Sequence, residues 1–220
     1  MLFHDRADAG KQLAQKLSEY ANRDDVIVLG LPRGGVPVAF EVAQALHAPL
    51  DLFLVRKLGV PGHEELAFGA VATGGQRVIN RKVVESEQIS DVEIEEVTRK
   101  EQRELERRER AYRGDRPPPQ LEDRTVILVD DGLATGATML AAVLALREYE
   151  PAKIVVAVPT ASRDTCELFQ DHVDEIICAS TPEPFYAVGL WYRDFSQTTD
   201  DEVRNLLSRA WQKQATANEQ

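Results

Sequence analysis

Short runs of apolar, mostly β-branched residues recur along the chain: Val26-Ile27-Val28-Leu29, Leu50–Val55, Val126–Val129, Ile154–Val158 and Glu175–Cys178. Runs of this length, without polar alternation, describe strands buried on both faces of a parallel sheet. Between them lie segments with helical spacing. Ala7–Tyr20 carries Leu13 and Leu17, and Val38–His47, Met139–Tyr149, Arg163–Gln170 and Asp200–Trp211 read as further helices. Strand and helix in alternation predict an α/β fold, a mainly parallel sheet with helices on both faces. Phe68–Thr73 and Gln76–Asn80 predict two more strands about a Gly74-Gly75 turn. There is no internal repeat, and residues 1–220 read as one domain.

Two segments differ from this alternation. Glu85 to Arg116 is crowded with charge and poor in apolar residues. Glu95 with Arg99, Glu96 with Lys100, Glu104 with Arg108, Glu106 with Arg110 and Glu109 with Arg113 are acid-first pairs at i, i+4. Each adds about 0.2–0.5 kcal/mol, so together they support a long solvated helix, which Pro117-Pro118-Pro119 stops. The second segment, about 180–212, concentrates aromatics from Phe185 to Phe195 in a chain otherwise poor in them.

Composition narrows the function. A formal charge of −11 over 220 residues argues against a nucleic-acid partner, because phosphate backbones need clustered Lys and Arg. A phosphorylated small ligand remains compatible, since a few local cations and Mg²⁺ suffice for it. Cys166 and Cys178 stand in apolar contexts and read as buried thiols of a cytoplasmic protein. No apolar run approaches transmembrane length and the first residues lack a signal-peptide pattern, so no membrane partner is expected.

The chemistry concentrates where the strand Val126–Val129 ends in Asp130-Asp131, followed by Gly132-Leu133-Ala134-Thr135-Gly136-Ala137-Thr138 and a helix. Two carboxylates at the carboxyl end of a core strand stand where open α/β sheets bind ligands. The loop of small and hydroxylated residues lets backbone N–H groups close around an anion, and the following helix adds a favourable dipole. Acceptors for hydroxyl groups thus lie beside a phosphate cradle, a pairing that fits a ribose 5-phosphate. The plain alternative is a strand–turn–helix in which Asp-Gly merely makes the turn.

Further candidates share that rim. Pro32-Arg33-Gly34-Gly35 follows the first strand; paired glycines let the backbone approach a ligand, and Arg33 offers a fork of donors suited to phosphate. Arg56-Lys57 directly follow the strand ending at Val55, again at a carboxyl end; otherwise they are a solvated basic pair. His63 reads as an exposed loop histidine. Trp191 and Tyr192 could stack on a planar heterocycle, or the aromatic segment could pack on the core or at a dimer interface.

The run Val126–Thr138 resembles the signature of the type I phosphoribosyltransferases, which use 5-phosphoribosyl 1-pyrophosphate (PRPP). The resemblance implies that Asp130 and Asp131 hold the ribose hydroxyls and that Ala134, Thr135, Gly136, Ala137 and Thr138 hold the 5′-phosphate. It implies a pyrophosphate loop at Arg33-Gly34-Gly35, often with an unusual cis peptide, and pyrophosphate contacts from Arg56 or Lys57. Mg²⁺ would accompany the pyrophosphate, with Asp130 touching it through water. Trp191 and Tyr192 fall where relatives carry a variable hood over the accepting base. The charged insertion takes the place of a mobile covering loop, from which Arg103 or Arg113 could reach the centre.

The expected activity is transfer of the phosphoribosyl group from PRPP to a nitrogen acceptor in nucleotide metabolism. The other reading is a PRPP-binding regulator without catalysis; homodimers are common in the family. Ala134 stands where the hypoxanthine–guanine branch has an acid, so the loop is closer to the adenine branch. The long insertion matches neither branch, and resemblance is firm only over about residues 26–160. A nucleotide-binding protein of another kind is disfavoured by the lack of Gly-x-Gly-x-x-Gly and of a P-loop.

Overall fold

In chain order the regular elements are α1 (Arg6–Lys16), β1 (Val26–Gly30), α2 (Gly35–Leu46), β2 (Leu50–Leu52), β3 (Val55–Val60), β4 (His63–Ala72), β5 (Arg77–Ile79), α3 (Arg81–Ser86), α4 (Asp91–Arg113), β6 (Thr125–Val129), α5 (Ala137–Arg147), β7 (Lys153–Thr160), α6 (Arg163–Gln170), β8 (Glu175–Ser180) and α7 (Asp200–Ala217). They come from a computed structural model, which describes residues 2–217. The chain groups into two compact units. The first comprises the chain through Leu52, Leu121–Gly136 and the chain from Glu150 onward; the second comprises Phe53–Gln120 and Ala137–Tyr149.

The first unit is built on a five-stranded sheet in the order β2-β1-β6-β7-β8, and every neighbouring pair is parallel. This is the mainly parallel α/β fold that the alternating pattern predicts. Every residue of β1 and β6 is buried, which accounts for their unbroken apolar character. Trp211 on α7 donates its indole N–H to the Leu50 carbonyl at 3.0 Å, covering part of the edge strand β2. The opposite edge, β8, is only half-buried along its length. The cysteine expectation is corrected there: Cys178 on β8 and Cys166 on α6 are half-buried and joined as a disulfide.

The second unit carries the antiparallel sheet β3-β4-β5, with α4 and α5 packed against it. The expected strand Leu50–Val55 is divided. β2 stops at Leu52, and Leu54 pairs instead with Thr73, its N–H donating to Thr73 Oγ1 at 2.8 Å and its carbonyl accepting from Thr73 N at 2.9 Å. The charged insertion is helical but not wholly solvated. Ser90 and Glu93 form a reciprocal cap at the start of α4, and Ile94, Thr98, Leu105 and Tyr112 bury one stripe of it. Of the expected pairs, Glu104–Arg108 (2.8 Å) and Glu109–Arg113 (3.2 Å) form. Glu95 turns instead to Arg77 on β5 at 2.6 Å.

Candidate active site

Parallel pairing sets Gly30 opposite Val129, so β1 and β6 end side by side. Leu31 N–H donates to the Val129 carbonyl at 2.9 Å and Gly35 N–H to the Leu31 carbonyl at 3.0 Å. These bonds draw the turn Pro32–Gly35 against Asp130 and Asp131. The approach is so close that a Cβ on Gly34 would collide with the Asp131 carboxylate, while one on Gly35 would stand 2.9 Å from the Asp130 Cα. The Pro32–Arg33 peptide bond is cis. Arg33 itself is exposed, 3.9 Å from Asp200.

The two acids differ in their surroundings. Asp130 accepts from Asp131 N at 2.8 Å, and burial together with the neighbouring Asp131 charge pushes its carboxyl well above the usual range. Burial also raises Asp131, but Arg6 opposes the shift, its Nε donating to Asp131 Oδ2 at 2.8 Å. A carboxyl group raised in this way favours a ligand that brings positive charge or hydroxyl donors to it.

The loop after the acids is braced from below. Leu133 N–H donates to the Thr160 carbonyl at 2.9 Å, and Thr165 Oγ1 on α6 donates to the Ala134 carbonyl at 2.7 Å. Gly136 has φ +70°, and a Cβ there would lie 2.6 Å from the Phe169 ring. Only glycine satisfies both the backbone and the space. Ala134 and Thr135 are exposed on this frame, and Ala137 and Thr138 form the exposed first turn of α5.

Arg56 and Lys57 occupy a different place from the one expected. They lie within β3 of the antiparallel sheet, not beyond the end of a strand of the parallel one. Arg56 Nε donates to Glu101 of α4 at 2.8 Å. With Lys100, Glu64 and Thr138 they line a groove of about 380 Å³ inside the second unit. Arg103 is exposed on α4, whereas Arg113 is buried and paired with Glu109. His63 opens β4 and is exposed.

The aromatic segment is tied to the chain's beginning. Phe3 N–H donates to the Trp191 carbonyl, Arg193 N–H to the Phe3 carbonyl and Asp194 N–H to the His4 carbonyl, each at 2.9 Å. Tyr192 is buried between Phe3 and Phe195, with ring centroids 5.4 and 4.9 Å away, and its hydroxyl donates to the Asp131 carbonyl at 2.6 Å. Its ring is thus buried among the protein's own aromatics. Burial and the nearby Asp131 charge raise the Tyr192 phenol, which therefore stays protonated as a donor. Trp191 stacks on Phe185 at 6.5 Å and is half-buried.

The family model described as phosphoribosyl transferase domain matches residues 3–188. The chain belongs to the phosphoribosyltransferase family. Two Mycobacterium tuberculosis proteins, named "Putative phosphoribosyl transferase MT0597" (strain CDC 1551 / Oshkosh) and "Putative phosphoribosyl transferase Rv0571c" (strain ATCC 25618 / H37Rv), are each 49% identical to it over 209 residues, or 95% of this chain. The chain spans 47% of the length of these relatives. The crystal structure of TT1426 from Thermus thermophilus matches with a TM-score of 0.85 at 41% identity, covering 95% of this chain and 99% of that one.

In this member of the family the first unit brings together Asp130, Asp131, Arg33, Gly34, Gly35, the loop Ala134–Gly136 and the aromatics Trp191 and Tyr192. Arg56, Lys57, Ala137 and Thr138 belong to the second. Mg²⁺ fits the donor chemistry, because Mg²⁺ binds through one or two carboxylates plus substrate phosphates and keeps several waters. The acid pair supplies such carboxylates; among the described residues no cluster of three His, Cys, Asp or Glu side chains forms a dedicated cage. The sequence reading missed Arg6. Its signal was a basic residue in the first turn of a helix, where the dipole disfavours a cation unless an acid answers it.

Proposed function

We propose that the protein transfers the 5-phosphoribosyl group of PRPP to a small-molecule nitrogen acceptor, with a nucleobase as the leading class. The observation that carries this reading is the close packing of Gly34-Gly35 on Asp130-Asp131. It sets a turn with an adjacent guanidinium, suited to pyrophosphate, beside two carboxylates suited to the ribose hydroxyls.

In the reaction the anomeric C1–O bond to pyrophosphate breaks, its electron pair leaves with pyrophosphate, a C1–N bond forms on the opposite face from the nitrogen lone pair, and the acceptor's N–H proton passes to solvent or to the departing pyrophosphate. Positive charge develops on the ribose as in glycoside chemistry, and carboxylates below the ring stabilise it. Asp130 and Asp131 orient the ribose, the loop Ala134–Thr138 anchors the 5′-phosphate on backbone N–H groups, and Arg33 draws on the departing pyrophosphate. Bound Mg²⁺, held through Asp130, would offset the pyrophosphate charge. Arg56 and Lys57 add positive potential in their groove, and Trp191 offers the more accessible aromatic face for the acceptor.

The test is pyrophosphate release from PRPP and Mg²⁺ across a panel of purine and pyrimidine bases, beside calorimetric titration of PRPP. Binding with acceptor-dependent release supports the enzyme. Binding without release from any base would favour a PRPP-responsive regulator, and no binding would remove the reading.

A further inference from the structure

We infer that Arg6 is a positioning residue of the ribose site, holding the Asp131 carboxylate in register and coupling it to the aromatic segment that precedes α7. This rests on the ribose reading of Asp131 given above.

Arg6 opens α1, whose N-terminal dipole disfavours a cation. Three contacts offset that placement. Nε donates to Asp131 Oδ2 at 2.8 Å, Nη1 donates to the Ser196 carbonyl at 2.6 Å, and the guanidinium lies 4.0 Å from the centre of the Phe195 ring. The Arg6 and Asp131 side chains are only 12% and 16% exposed, so the pair is sheltered from the screening that weakens surface ion pairs. The fork of a guanidinium reaches a carboxylate and a carbonyl together while its face rests on an aromatic ring; an ammonium cannot do all three.

The reach of Arg6 is fixed by main chain. The ribbon formed by Phe3 and His4 with Trp191–Asp194 ends two residues before Arg6. Asp5 then caps α1, accepting from Asp8 N at 2.8 Å. The same ribbon carries Tyr192, whose hydroxyl grips the Asp131 carbonyl. Asp131 is therefore held at its carboxylate by Arg6 and at its backbone by Tyr192, and both grips come from the N-terminal segment and the segment it pairs with. Arg6 takes Oδ2 and leaves Oδ1 for an incoming ribose hydroxyl. Any ligand that shifts residues 191–196 would be felt at Asp131.

The experiment is a double-mutant cycle of Arg6→Gln and Asp131→Asn, read as the dissociation constant of PRPP with Mg²⁺ by calorimetry. Arg6→Gln is expected to weaken PRPP by roughly tenfold, the cost of one charged hydrogen bond. In the Asp131→Asn background it is expected to change almost nothing, because its action passes through that carboxylate. Wild-type affinity in Arg6→Gln, or losses that simply add, would overturn the inference while leaving the ribose reading intact. If Arg6→Gln fails to fold, Arg6→Lys replaces it in the cycle with the same non-additivity expected. Failure of the wild-type protein to bind PRPP would bring down the ribose reading and this inference with it.

Discussion

The backbone of Gly35 lies so close to the end of β6 that a Cβ on it would stand 2.6 Å from the carbonyl oxygen of Val129. The contact fixes how near the Pro32–Gly35 turn comes to the acid pair. A methyl group there must push the turn away from Asp130 or distort the strand end, and overpacking of this kind costs about 1–3 kcal/mol. Gly35→Ala is therefore expected to lower the melting temperature and to weaken PRPP at least as much as any residue change confined to Arg33. Calorimetry beside a thermal melt checks both; an alanine variant with unchanged affinity and stability would contradict the packing argument.

Asp130 and Asp131 are expected to carry much of the ribose recognition. Removing a charged acceptor costs roughly 1.5–3 kcal/mol. Asp130→Ala with Asp131→Ala should therefore reduce PRPP affinity by at least about tenfold. The variant also leaves the sheltered Arg6 guanidinium without its carboxylate, so a lower melting temperature is expected beside the loss of affinity. A folded double variant that binds PRPP like wild type would sink the assignment.

The phosphate loop should be sensitive to what lies under it. Thr165→Val keeps the shape of the side chain but removes the donor to the Ala134 carbonyl. The loss is about 1 kcal/mol, felt as weaker binding of ribose 5-phosphate as well as PRPP. Gly136→Ala should be more severe, because it adds left-handed backbone strain to a collision with Phe169. Equal binding of ribose 5-phosphate by all three proteins would show that α6 does not support the loop.

Much of the site could be read from the sequence because its groups are local. The apolar run of β6, the acid pair and the small-residue loop are contiguous, and the elements around them follow from simple periodicity. What escaped depends on contacts distant in sequence. Leu50–Val55 looked like one strand because Phe53 and Leu54 are as apolar as Leu50 and Leu52, with no Gly or Pro to mark the change of sheet. Arg56 and Lys57 were misplaced as a consequence. Arg6 reaches Asp131 across 125 positions, and Tyr192 reaches its carbonyl across 61. Periodicity cannot carry such information. The half-buried cysteines were missed because nothing in the apolar run Glu175–Cys178 says that its strand lies at a sheet edge.

The two aromatics of the C-terminal segment are expected to separate by function. Tyr192→Phe removes only the hydroxyl bonded to the Asp131 carbonyl, so it should weaken PRPP by a few-fold, about 1 kcal/mol at most, with acceptor preference unaltered. Trp191→Ala should leave PRPP binding nearly intact and raise the acceptor's KM once an acceptor is known. Equal loss of both affinities in Trp191→Ala would assign the indole to packing with Phe185 rather than to a ligand.

Tyr149 offers a pH-dependent test of the second unit. Its hydroxyl donates to the Thr73 carbonyl, beside the Gly74 turn that ends β4. Burial first, and then the Glu109 charge, push its phenol up to about 12, with Arg113 opposing. An unfolded tyrosine ionises near 10. The raised value means that the stability this group contributes is fully present below pH of about 10 and is lost as the pH climbs toward 12, because the unfolded chain sheds the proton first. The absorbance difference at the phenolate band between wild type and Tyr149→Phe should therefore rise near pH 12. Across the same interval the wild-type melting temperature should fall more steeply than that of the variant. A difference spectrum rising near pH 10, with parallel melting curves, would mean that the hydroxyl faces solvent and does not hold the Thr73 turn.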